Sequence, residues 1–362
     1  IYILKKILMR SFKDKFPNIS DDKLLIKKKL WEREQDERIK LIESLRTMDL
    51  VKKMRKMLDD GDDDLGSYFD FPGWDQGGIV SDPPIAGARL EFYRADGSIA
   101  IGETDENGRF TLPPLFYSGF IIAKGGIDTV NGLEFKGEMR ADLNFFLYYP
   151  AITPLNHIAN KIWEKTPTLY PEEAIDLTLK HMNDLVDFDL SKINGSLLGE
   201  DPIKSTLLGK EGSKELQAVN TLIEIFSDII GNTNANNEGE ITKCKNEVYS
   251  HISDQLLKKI NGEDIGNLID ITHYNLKENH LECCETLIEN AKKNLIKCIS
   301  DDCEKTTKEI QSVNLAIKSE WSKKAFDMTF DPECSITSIW KSIKSKKNDS
   351  LKDQINLEKI LI

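Results

Sequence analysis

At 362 residues the chain exceeds the needs of one small domain, so two or three folded units are expected. It is 40% hydrophobic and 30% charged, a balance that excludes a wholly disordered polymer. Net charge is -12, and no run of eighteen apolar residues exists, which excludes a transmembrane helix.

The charge is uneven. Residues 1–58 hold 17 Lys and Arg against 9 Asp and Glu, whereas residues 59–190 hold 9 against 24. A basic helical arm, 1–58, thus precedes an acidic body. Such a helix suits phosphates, an acidic membrane surface or an acidic protein face, or else simply presents a solvated side. The opening stretch from Ile1 to Arg10 is broken by charge and lacks the small-residue cleavage site of a signal peptide. Within 21–58, Leu41, Leu45, Met48, Val51, Met54 and Leu58 recur at three- and four-residue spacing. That apolar stripe must bury against the body or a partner chain, and these six are the candidate interaction residues.

Residues 59–76 form an acidic and aromatic linker, from Asp59 to Asp64 and on through Tyr68, Phe69, Phe71 and Trp74. The alternating Asp60, Asp62 and Asp64 suggest a calcium loop, but the sixth and twelfth positions are Leu65 and Phe71 where an EF-hand needs Gly and Glu.

Residues 77–150 predict a small antiparallel β-sandwich. Ala88, Leu90 and Phe92 alternate with Arg89, Glu91 and Tyr93, the period of a strand. Asp96-Gly97, Asn107-Gly108 and Asn131-Gly132 supply the positive φ of tight hairpins. Between them short strands are expected at 109–112, 119–124 and 134–141. Thr153-Pro154-Leu155 then switches the period, with Thr as N-cap and Pro at the first helical position. Helices are expected at 154–165, 171–186 and 213–230, and again at 240–260, 275–299 and 302–327. This divides the remainder into a helical region (151–232), a C-terminal helical domain with all six cysteines (240–340) and a basic tail (341–362). The fold class is therefore α+β: a small antiparallel β-sandwich flanked by an N-terminal helical arm and a C-terminal helical domain.

Three segments in the sandwich carry a family resemblance. Gly78-Ile79-Val80-Ser81-Asp82, Pro84-Ile85-Ala86-Gly87-Ala88-Arg89-Leu90 and Thr104-Asp105-Glu106-Asn107-Gly108-Arg109-Phe110 resemble the carboxypeptidase regulatory-like domain, a transthyretin-like β-sandwich. The match covers about 65 residues. Gly125 to Gly132 and Ile152-Thr153-Pro154-Leu155 look like a variant common in bacterial surface proteins. There the sandwich is followed by a helical region, in which Asp201-Pro202 and Ala218-Val219-Asn220 also find similar residues. The resemblance implies a structural or adhesive accessory module without catalytic residues. The richness in Lys, Ile, Asn and Cys resembles proteins of AT-rich genomes, large DNA viruses among them.

Two weak metal candidates stand out. Asp82, Asp105 and Asn107 offer oxygens for calcium at one end of the sandwich, although an Asp before Asn-Gly ordinarily bonds backbone amides of the turn. His280, Cys284, Cys298 and Cys303 offer nitrogen and thiolate ligands for zinc, without the usual two-residue Cys spacing. Disulfides between neighbouring helices and free buried thiols are the alternatives for the cysteines, which are Cys244, Cys283, Cys284, Cys298, Cys303 and Cys334. The five histidines, at 157, 181, 251, 273 and 280, have no metal or triad spacing. No Gly-rich phosphate loop is present, and basic segments without interleaved aromatics argue against nucleic acid.

These features predict a non-enzymatic structural or interaction protein with no cofactor, whose partners are other subunits of a virion capsid or a cell-surface layer. A secreted adhesion module binding glycan or protein, helped by calcium, is the first alternative. An accessory subunit of an enzyme is the second. The expected location is the virion or the extracellular surface.

Overall fold

The structure, a computed structural model, describes residues 77–316 except 82, 95–96, 114–118, 167, 187–188, 236, 264, 266–272, 275–277 and 301. Side chains at 184–185, 238, 278–283 and 316 are also outside the description. The arm, the linker, the tail and Asp82 therefore lie outside the described residues, as do Leu41, Leu45, Met48, Val51, Met54 and Leu58. The chain divides after Gly73, and every described residue belongs to the unit Trp74–Ile362.

That unit is α+β with antiparallel sheets. Its strands are β1 (Gly77–Val80), β2 (Ile85–Ala86), β3 (Arg89–Arg94), β4 (Ile99–Glu103), β5 (Arg109–Thr111), β6 (Gly119–Lys124), β7 (Ile127–Asp128), β8 (Glu138–Asp142) and β9 (Ala151–Ile152). A four-stranded sheet runs β4-β3-β6-β8, antiparallel throughout. A three-stranded sheet runs β5-β1-β9, with β1 antiparallel to β5 and parallel to β9. β2 and β7 form a separate ribbon.

Period-2 alternation sends Leu90, Phe92, Ile121, Ala123, Met139 and Ala141 inward from the larger sheet. They join Val80, Phe110 and Ile152 of the smaller sheet in one apolar cluster. Phe110 bridges its rings, with centroids 6.1 Å from Phe92 and 5.5 Å from Phe146.

The turn signals act as expected. Gly97, Gly108 and Gly132 all have positive φ. In the Thr104–Phe110 hairpin, the Asp105 carboxylate accepts from the N–H groups of Asn107 (2.9 Å) and Arg109 (2.8 Å). Buried Thr104 accepts from Ala88 N–H at 2.8 Å and donates to the Ile85 carbonyl at 2.6 Å, so the hairpin is bolted to its neighbours.

The helices are α1 (Leu143–Tyr148), α2 (Pro154–Lys165), α3 (Pro171–Val186), α4 (Gly195–Leu198), α5 (Pro202–Leu207), α6 (Ser213–Asn234), α7 (Ile241–Ile260), α8 (Glu278–Ile299) and α9 (Cys303–Ala316). The expected N-cap is in place: Thr153 accepts from Asn156 N–H at 3.2 Å, with Pro154 at the first turn. One apolar cluster runs from Phe145 through α6 to Val313, so helices on both sides of residue 240 share a core. α1 was not foreseen, and it belongs to both cores. Phe145 enters the helical cluster, while Leu143 and Phe146 enter the sheet cluster. No described helix is long and apolar enough to cross a membrane.

Gly108 has φ of 74°, and a Cβ there would lie 2.8 Å from the Val80 carbonyl oxygen and 2.9 Å from the Ile85 nitrogen. Gly108→Ala is expected to lose about 1–2 kcal/mol through its backbone alone, with the contact adding to it. Urea unfolding of the two chains measures this.

Candidate interaction surface

The outward residues of the larger sheet follow from its register. Across the strands, Ile99 aligns with Tyr93, Phe120 and Asp142, and Ile101 with Glu91, Ile122 and Arg140. A third row holds Glu103, Arg89, Lys124 and Glu138. Tyr93 and Phe120 stack at 4.6 Å between centroids, and the Arg140 guanidinium lies 3.9 Å over the Phe120 ring.

Four of the charges on this face, Arg89, Glu91, Lys124 and Glu138, pair with one another. Glu91 accepts from the Tyr93 hydroxyl at 2.8 Å and from Lys124 at 3.1 Å, and Lys124 also meets Glu138 at 3.4 Å. The Tyr93 and Lys124 hydrogen bonds hold the Glu91 carboxyl below the usual carboxylate range, while the same Tyr93 bond pushes the phenol up. Beside them the face is largely apolar. Ile99 is 51% exposed and Ile101 is 59% exposed, beside half-buried Tyr93, Phe120 and Ile122.

The two edges of the sheet differ. At β8, the Arg140 N–H donates to His157 Nδ1 at 2.8 Å and the Asp142 N–H to Asn160 Oδ1 at 2.5 Å. Side chains of α2 thereby close that edge. Burial pushes the His157 imidazole down to about 3, and the neutral ring meets the Arg140 backbone through Nδ1, accepting from its N–H in one tautomer or donating to its carbonyl at 3.1 Å in the other. At β4, the ladder with β3 uses the polar backbone groups of Ala100 and Gly102, since Arg94 and Ser98 are bonded at the hairpin end and Thr104 to Ala88 at the other. The N–H and C=O of Ile99, Ile101 and Glu103 therefore point outward, and among the described residues nothing bonds them.

A buried polar seam joins the smaller sheet to the helices. Ser81 donates to Asp201 at 3.1 Å, and Asp201 caps α5 by accepting from Ile203 N–H at 3.0 Å. The Asn156 amide donates to the carbonyls of Ala151 (2.7 Å) and Leu198 (2.8 Å). Asn220 accepts from Leu155 N–H at 2.9 Å. Desolvation pushes the Asp201 carboxyl up to about 6 against the hydrogen bonds it accepts. Thr153-Pro154-Leu155 thus meets Ala218-Val219-Asn220, while Asp201-Pro202 is tied to the end of β1 through Ser81.

The sequence-derived metal sites fare differently. Asp105 is engaged with the turn amides, Asn107 is exposed beside it, and Asp82 lies outside the described residues. The zinc set does not converge. Cys284 and Cys298 sit fourteen residues apart on continuous α8, about 21 Å along its axis. Cys284 faces Thr233 at 3.8 Å, and the Cys298 thiol donates to Glu309 at 3.4 Å. Cys303 starts α9, and the side chain of His280 is outside the description. Among the described residues, Cys244, Cys284, Cys298 and Cys303 form no disulfide, and no three His, Cys, Asp or Glu groups gather as a metal site. The disulfides weighed from sequence are therefore not formed by these four. One histidine contact had no sequence signal: His251 and His273 stack at 3.9 Å.

Comparison with family models, curated proteins and solved structures finds no match.

Two groups set opposing pH responses. The native His157 titrates near 3 and an ordinary histidine at 6.5, so its contribution to stability is full above 6.5 and is lost as pH falls toward 3, at about 1.4 kcal/mol per pH unit. The native Asp201 titrates near 6 instead of 3.8. Its contribution is full below 3.8 and is lost as pH rises through 6, a span of about 3 kcal/mol. Between pH 3.8 and 6 the two slopes partly cancel. Melting temperatures followed from pH 7.5 to 4.5 separate them. His157→Gln should be less stable at pH 7.5 and lose less on acidification than the parent chain. Asp201→Asn keeps a capping oxygen, lacks the carboxyl's offsetting gain, and should lose more than the parent over the same range.

Proposed function

We propose that this chain is a non-catalytic structural and interaction protein, one component of a larger assembly such as a virion shell or a cell-surface layer. Its sheets act as a transthyretin-like sandwich of the carboxypeptidase regulatory-like kind, serving as spacer and docking module. The observation that carries this reading is the outward face of the β4-β3-β6-β8 sheet. It presents Ile99, Ile101, Tyr93, Phe120 and Ile122 in a contiguous patch while Arg89, Glu91, Lys124 and Glu138 pair among themselves. Apolar patches rimmed by satisfied polar groups are a mark of protein contact surfaces. Support for the module comes from two sheets sharing one core, and from the Asn107-Gly108 and Asn131-Gly132 turns at the resembling positions. The basic arm and tail would contact neighbouring subunits, with the apolar stripe from Leu41 to Leu58 as one contact.

Native mass spectrometry of the full chain, combined with amine–carboxylate cross-linking, tests the reading. A multi-chain species in which Lys124 or Glu103 is linked to another chain is the expected result. A chain that stays monomeric at every concentration, with Lys124 and Glu103 linked only within itself, would sink it.

A further inference from the structure

The β8 edge is closed by His157 and Asn160, whereas among the described residues nothing bonds the β4 edge, whose one charged side chain is Glu103 at the end of the strand. β4 is Ile99-Ala100-Ile101-Gly102-Glu103, without Pro, Lys or an inward charge. Its unbonded backbone groups belong to Ile99, Ile101 and Glu103, and both isoleucines are exposed.

We propose that this edge pairs with the β4 edge of a second copy, antiparallel about a two-fold axis at Ala100, joining two four-stranded sheets into one. The inference rests on the assembly reading above and names a partner for it. Self-complementarity selects the register. With Ala100 opposite its own copy, Ile99 faces Ile101 of the partner at both ends, as hydrogen-bonded pairs that exchange four N–H···O=C bonds. The Ala100 groups, already bonded to β3, fall in a non-bonded position, as antiparallel pairing requires. Glu103 then lies opposite the Gly97 turn, so no carboxylates oppose each other. The Ile99–Tyr93–Phe120 and Ile101–Ile122 rows run on across the junction in both copies. A two-fold contact of this kind closes at the dimer and does not propagate.

The contact is small against the ~1,200 Å² that a stable interface buries. Each copy also carries a net charge of -12. Pairing is therefore weak in dilute solution, strengthens with salt as repulsion is screened, and becomes firm where an assembly holds copies close together.

Sedimentation of the full chain across a concentration series tests this. A reversible dimer favoured by added salt is expected, weakened about tenfold or more in Ile101→Lys at unchanged melting temperature. Register is checked with Ile99→Cys and Ile101→Cys. The mixture of the two should form a disulfide-linked dimer under mild oxidation beyond either variant alone and beyond the parent background, since hydrogen-bonded pairs place Cα atoms about 5.5 Å apart. If multi-chain species form but Ile101→Lys leaves them intact, or the mixture links no better than the single variants, the β4 pairing is wrong and the assembly reading stands. If no multi-chain species forms at all, both fall. Capture of an extended segment of a different protein at β4, without self-association, would also overturn the pairing.

Discussion

The passage from β9 into α2 is the constraint on which this unit depends. Only Thr153 separates the strand from the helix, and the whole junction is buried. Buried N–H and C=O groups must find partners, and here side chains distant in sequence supply them. Asn220 takes the Leu155 N–H, while Asn156 reaches the carbonyls of Ala151 and Leu198. Ser81 and Asp201 extend the same seam to the end of β1. Sheet and helices are thereby held in one relation by directional bonds, with Phe145 and Phe146 serving one core each.

The cost of such a seam is that its ionisable members sit where charge is disfavoured. Asp201 resists ionisation because desolvation outweighs the amide and hydroxyl donors around it. His157 stays neutral for the same reason, and its Nδ1 engages the Arg140 backbone of the β8 edge. Burial of α2 thus closes one side of the larger sheet. Among the described residues nothing comparable occurs at β4. The asymmetry between the two edges follows from where the chain goes next.

Legibility varied with the range of the interaction. The strands around Leu90, Phe92 and Ile121, the positive-φ glycines and the Thr153 cap rest on neighbours within a few residues, and all are visible as local pattern. The helices near 154–165, 171–186 and 241–260 likewise stand where apolar spacing places them. By contrast, α1 has no cap signature beyond Asp142 and only six residues, too few for a period to emerge. β9 is a two-residue strand whose parallel pairing with β1 depends on a partner some seventy residues away. The zinc set failed for a geometric reason: Cys284 and Cys298 share a single helix too long to fold them onto one ion.

Alternation alone established which side chains of β3 face outward, because a strand's period is two whatever surrounds it, whereas the continuous apolar run of β6 left its two faces unassigned. It established the turns too, since Asn-Gly and Asp-Gly carry their conformational preference with them. Only the tertiary structure decided that the outward residues form one patch, because register sets which rows align. Only it decided which edge stays open, because closure of β8 comes from His157 and Asn160 on a helix that sequence pattern cannot aim. The meeting of Ser81 with Asp201 and of Leu155 with Asn220 is of the same kind: residues of ordinary local character, brought together by a chain path that no local pattern contains.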